Sequence, residues 1–166
     1  MTISGRIKRF FFPSLNRGYL RRVIFIGLSS YLIFSYLLIP LHIEGQSMEP
    51  TYHDGSFNFC WRLKYIFTPI ERFDVVTVRF TGRSVMLLKR VVGLPGDTLE
   101  FREGILYING KQVVEPYVQN RLPWNLAPRT IADEHVYVVG DNRSTVMSRH
   151  RFGQVKIDRI AGGVIF

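Results

Sequence analysis

The chain has 166 residues, enough for one domain and a short extra element, and 46% of them are apolar, which supports a packed core and excludes general disorder. Its formal net charge of +9 would suit a nucleic-acid binder, but the distribution argues otherwise: Arg6, Lys8, Arg9, Arg17, Arg21 and Arg22 fall within residues 1–22 with no acid among them, leaving a net +3 for the rest of the chain. A basic flank ahead of an apolar run is the pattern of a membrane surface rather than of a base-reading face, so a lipid bilayer and no nucleic acid is the expectation.

In chain order, residues 1–22 read as a basic cytoplasmic segment, with Phe10–Phe12 and Tyr19 among the cations suited to the headgroup region. Val23–Leu41 is uncharged and apolar. As a helix it would reach about 28 Å, close to the hydrocarbon thickness of a bilayer, and Pro40 would mark its exit. The run is long for a cleaved leader, and no small-x-small site follows in HIEGQSMEP, so a retained transmembrane anchor helix at 23–41 is expected. The basic flank holds the N-terminus in the cytoplasm, which sends residues 42–166 to the far side of a single-pass protein.

From residue 50 onward the pattern breaks into short β-type runs. Val75–Phe80 alternates, residues 81–84 (Thr-Gly-Arg-Ser) turn, and Val85–Val92 returns, which predicts a hairpin. Residues 93–97 (Gly-Leu-Pro-Gly-Asp) break the chain. Thr98–Arg102 and Ile105–Ile108 pair across Glu103-Gly104, and Asn109-Gly110 is a type I′ signal leading into Lys111–Val114. Glu115–Pro128 reads as an irregular excursion, and Val136–Val139 and Ile160–Phe166 as two more strands. The fold class is therefore mainly β: an antiparallel β-rich domain over 42–166 behind one N-terminal helix. Cys60 is the only cysteine, so no disulfide forms within the chain; His42, His53, His135 and His150 have no metal-pair spacing, and neither a metal nor an organic cofactor is expected.

Two features carry chemistry. Ser47 lies in Gly45-Gln46-Ser47-Met48-Glu49-Pro50-Thr51, six residues past Leu41 and so at most about 20 Å beyond it in an extended chain. Lys89 sits in the apolar strand 86–92 (Met-Leu-Leu-Lys-Arg-Val-Val), sharing one face with Leu87 and Val91 while Arg90 shares the other with Leu88 and Val92, so one charge must point toward a covered face. A serine hydroxyl needs a base to attack a carbonyl, and lysine becomes one near neutrality only where burial disfavours its ammonium. An apolar strand face supplies that condition; an edge lysine guarding against aggregation is the other reading of the same pattern.

SMEPT at 47–51, KRVVGLPGD at 89–97 and GDNR at 140–143 resemble, in order and behind an anchor, the signature boxes of the bacterial type I signal peptidases, and the resemblance spans residues 23–166. It implies the β-rich catalytic fold of that family, Ser47 as nucleophile with its backbone N–H in the oxyanion hole, and Lys89 as general base. The larger members' inserted domain looks reduced, since about 42 residues separate Asp97 from Gly140. The chain departs from the family at two places. Gly45 stands where some members carry an oxyanion-stabilising serine. In the third box, whose usual form is GDNRxxSxDSRxxG, Val146, Ser148 and His150 replace the orienting serine, the aspartate and its arginine. Asp141, Asn142 and Arg143 remain as supporting residues, and Ser144, Thr145 or Ser148 could supply the lost hydroxyl. Ile43, Gly45 and Leu87 are candidate substrate-pocket residues by nearness to the dyad.

The resemblance implies an endopeptidase that removes signal peptides from exported pre-proteins through an acyl-enzyme, a monomer in the bacterial inner membrane with its catalytic domain on the periplasmic side. A peptidase dedicated to one exported substrate, such as a pilin or conjugation protein, and an inactive membrane-tethered β module that binds exported segments are the alternatives.

Overall fold

The computed structural model describes residues 16–81, 85–150 and 153–165. The chain divides after Leu38 into two compact units. The first is helical. Asn16 caps it, its Oδ1 accepting from the Tyr19 N–H at 2.7 Å, and α1 runs Arg17–Leu32 before a wide π turn over Ile33–Leu37. Together Arg17–Leu37 make 21 residues, about 31 Å of helix, long and apolar enough to cross a bilayer. None of the residues of α1 is buried; Phe25, Ile26 and Tyr31 are each more than 60% exposed, as on a surface made for an apolar solvent.

The helix ends four residues earlier than the expected limit at Leu41. Leu38–His42 is instead the first strand, β1. Pro40 is the physical reason: its ring would clash with the carbonyl four residues back, and the residue preceding a proline is pushed out of the helical region. Proline inside this strand is tolerated because β1 is an edge. The expected start of the β domain at residue 42 is corrected accordingly, to Ile39. Residues 1–15, including Phe10–Phe12, and the 82–84 turn lie outside the described residues.

The second unit holds the remaining strands: β2 Phe57–Trp61, β3 Val75–Thr81, β4 Val85–Gly93, β5 Thr98–Arg102, β6 Ile105–Ile108, β7 Lys111–Gln112, β8 Leu126–Thr130, β9 His135–Val139, β10 Gly153–Lys156 and β11 Ile160–Val164, with a single helical turn α2 at Lys64–Phe67. They form a seven-stranded sheet in the order β1-β2-β11-β3-β4-β9-β10 and a four-stranded sheet in the order β7-β6-β5-β8. Asn109 and Gly110 take φ of 52° and 75°, as a type I′ hairpin requires. Two strands beyond residue 120 run through segments not expected to be strands. β8 contains Pro128, is exposed along most of its length and forms an edge of the small sheet; β10, Gly153–Lys156, is the opposite edge of the large one. Neither buries enough apolar surface to leave a pattern in the sequence.

The core lies on both sides of β4. Val92, Tyr137 and Val139 of the large sheet pack against Leu99, Phe101, Leu106 and Ile108 of the small sheet, with Trp124 and Ile131. On the other side Val91 joins Val76, Val78, Val136 and Val138. A strand covered on both faces has no outward side for a charge, so both Lys89 (4% exposed) and Arg90 (9%) are buried and each must find a partner.

Candidate active site

One partner of Lys89 is Ser47. The lysine Nζ lies 2.7 Å from Ser47 Oγ, between residues 42 apart in sequence. Ser47 is held by a tight turn: Glu49 N–H donates to the Gln46 carbonyl, Tyr52 N–H to the Met48 carbonyl, and the Met48 side chain, 1% exposed, plugs the turn into the domain. Gly45 enters it with φ +90°, a conformation that glycine adopts without strain, and its N–H donates to Asp54 Oδ1 at 2.8 Å. No residue with an ordinary side chain occupies that backbone as easily, which accounts for glycine where a serine was a conceivable alternative.

The Gly140–Arg143 segment clamps the turn to the lysine strand. Asn142 N–H donates to the Ser47 carbonyl at 3.1 Å, and its Nδ2 to the Gln46 carbonyl at 3.0 Å. Gly140 lies so close that a Cβ there would stand 2.3 Å from the Ser47 carbonyl oxygen and 3.5 Å from Lys89 Nζ. Two buried ion pairs fasten this segment on either side of Asn142. Asp141 accepts from Arg90 Nε and Nη2 at 2.8 and 2.6 Å and from Thr51 Oγ1 at 2.6 Å. Arg143 grips Glu115 through Nη2 at 2.6 Å and Nη1 at 3.3 Å while its Nε donates to the Gly140 carbonyl at 3.0 Å. Arg90 also lies over the Tyr117 ring at 4.1 Å and donates to the Phe73 carbonyl. The adjacent residues of the Lys-Arg pair thus divide the work: the first meets the serine, and the second holds the segment that carries the serine's hydrogen-bond partners.

Ser47 and Lys89 open onto a cleft of about 330 Å³ whose wall includes Leu87, Asn142, Ser144, Thr145, Arg149 and His150. Ile43, Gly45 and Leu87, the expected substrate-pocket residues, line a second, smaller pocket of about 70 Å³ that also reaches Ser47. Of the three hydroxyls considered as supports for Lys89, Ser144 faces the cleft and donates to Asn142 Oδ1 at 2.6 Å; Thr145 faces it too, its carbonyl accepting from Trp124 Nε1. Ser148 is exposed on the short 3₁₀ turn Met147–Arg149 and does not line the cleft. Among the described residues no group of His, Cys, Asp and Glu is arranged to hold a metal ion.

His150 was not foreseen as a site residue. Its ring meets Trp124 edge-on at 4.5 Å and lines the cleft. Burial, with the charges of Lys89 and Arg143 nearby, lowers its pKa from the ordinary 6.5 to about 4, so it is neutral at pH 7. Glu115 was likewise invisible: a lone glutamate before a proline carries no signal that an arginine 28 residues away will close on it.

The model of the family described as "Signal peptidase, peptidase S26" matches residues 16–166. The signal peptidase I of Bacillus licheniformis is 34% identical over 155 residues, covering 87% of this chain and 83% of the relative. That of Bacillus caldolyticus is 36% identical over 138 residues, 75% of each, and signal peptidase I T of Bacillus subtilis is 32% identical over 153 residues, 86% of this chain and 79% of the relative. A crystal structure of a signal peptidase I from Enterococcus faecalis, 27% identical, covers 59% of this chain and 98% of its own with a TM-score of 0.48. The family match over nearly all of the described chain, together with relatives above 30% identity along most of their own length, places the chain in the S26 signal peptidase family.

Proposed function

We propose that this membrane-anchored S26 peptidase removes signal peptides from exported pre-proteins, using Ser47 as nucleophile and Lys89 as general base. The observation that carries the assignment is the 2.7 Å contact between Ser47 Oγ and the Nζ of a lysine only 4% exposed. Burial opposes the ammonium, and a neutral amine at that distance can take the serine proton. Lys89 takes the Oγ proton as Oγ attacks the scissile carbonyl. The tetrahedral intermediate collapses to an ester on Ser47, and the leaving amine takes the proton from Lys89. Lys89 then deprotonates water, whose oxygen attacks the ester and releases the signal peptide as a carboxylate with Ser47 restored. The Ser47 N–H makes no backbone hydrogen bond among the described residues, which leaves it available to the oxyanion. The small pocket holding Ile43, Gly45 and Leu87 is of a size for a short side chain ahead of the cut.

The enzyme works beside the bilayer as a monomer, with residues 1–22 cytoplasmic and the β domain extracytoplasmic. Arg17, Arg21 and Arg22 at the start of the apolar helix support that orientation. The test uses the full chain in detergent with several unrelated pre-proteins, the parent beside Ser47→Ala and Lys89→Met. Cleavage of many substrates by the parent alone is the expected result. Cleavage of a single pre-protein would indicate a dedicated processing enzyme. Cleavage of none, or full activity in Lys89→Met, would overturn the dyad.

A further inference from the structure

We infer that Arg149 selects substrates carrying an acidic side chain close to the scissile bond, an inference that rests on the Ser47/Lys89 reading. Arg149 lines the same cleft as Ser47 and Lys89, and no aspartate or glutamate is among the described residues of that wall. Its side chain is exposed, and among the described residues it forms no ion pair or side-chain hydrogen bond. Two other arginines of the supporting segment are committed: Arg90 to Asp141 and Arg143 to Glu115. Arg149 is thus a permanent cation on the wall of the cleft that holds Ser47, with its side-chain donors uncommitted among the described residues.

The element that carries it is anchored. Met147 packs against the main core, Arg149 N–H donates to the Val146 carbonyl at 3.0 Å, His150 N–H to the Met147 carbonyl at 3.1 Å, and Trp124 both holds the Thr145 carbonyl and meets the His150 ring. The guanidinium is therefore offered from a braced turn, not from a loose loop. A cleft with an uncommitted arginine and no acid among its described lining residues is complementary to an anion. The substrate is a polypeptide running past Ser47, so the anion is a glutamate or aspartate side chain near the cut.

The experiment uses the full chain in detergent micelles and synthetic peptides with alanine one and three residues before the cut, in which Glu, Gln or Lys is placed in turn at each of the other positions within three residues of the bond. For the parent, kcat/KM for Glu over Gln at one or more positions should be on the order of 3–10-fold at low salt, shrinking as ionic strength rises. In Arg149→Gln the ratio should fall to about one, and Arg149→Glu should prefer Lys at the same position. Each ratio is taken within one variant, so a general loss of activity does not enter it. A parent that cleaves without charge preference, or a preference unchanged in Arg149→Gln, overturns the assignment of Arg149 and leaves the dyad standing. Failure to cleave any peptide overturns both.

Discussion

Replacing Gly140 by alanine tests whether the clamp segment positions the nucleophile. The added Cβ would stand 2.3 Å from the Ser47 carbonyl oxygen and 3.3 Å from its carbonyl carbon. A relaxed carbon–oxygen contact is about 3.3 Å, so the two segments must part by roughly 1 Å. The obstructing atom is backbone and cannot rotate away. The displacement therefore passes directly to the residue bearing Oγ and strains the Asn142 N–H bond to the same carbonyl. Misplacement of a reacting group by about 1 Å can cost on the order of 10²-fold in rate, and overpacking of this kind costs about 1–3 kcal/mol of stability. Peptidase kinetics on one pre-protein, with thermal melting followed by circular dichroism, should show kcat/KM down about 100-fold in a protein that still folds. An alanine variant within about threefold of the parent, with an unchanged melting temperature, would refute the claim that the Gly140–Arg143 segment sets the position of Ser47.

Asp141→Asn leaves the Arg90 charge buried without its counter-ion; breaking such a pair costs about 3–5 kcal/mol, so the melting temperature of the detergent-solubilised enzyme should drop by about 10 °C, and an unchanged melt would contradict the role given to this pair. His150 has a folded pKa of about 4 against 6.5 for the ordinary ring, so the unfolded chain binds its proton first, and stability present above pH 6.5 is lost as pH falls toward 4. Because the ring is only about half buried, screening reduces the contribution to about 1 kcal/mol. Comparing the melting-temperature change between pH 7 and pH 4.5 in the parent and in His150→Gln should give the smaller loss in the variant; equal losses would mean the ring titrates normally.

The N-terminal apolar helix and most of the large strands were legible because each follows from a local pattern: an uncharged run of membrane length, and alternating β-branched segments between turn residues. Leu38–His42 was misread as the end of the helix because apolar composition alone does not distinguish the last turn of a span from a strand; Pro40 did contain the correction. The edge strands Leu126–Thr130 and Gly153–Lys156 left no trace, since an exposed edge obtains its hydrogen bonds from a neighbour that the sequence does not name.

The candidate site divides in the same way. Sequence by itself singled out the residues to which the chemistry is assigned: a serine in a turn just past the apolar run, and a lysine in an apolar strand. It could not say whether Lys89 or its neighbour Arg90 faced a covered side. Only the tertiary structure decided that both do, because sheets and core close over β4 from two directions. Only the fold, too, assigned Arg90 to Asp141, Glu115 to Arg143 and His150 to the cleft wall. These contacts join residues 28 to 51 positions apart, or reach across the cleft from the lysine strand. The physical reason is that a buried charge needs a partner, but any of several residues could supply one until packing brings a particular pair together.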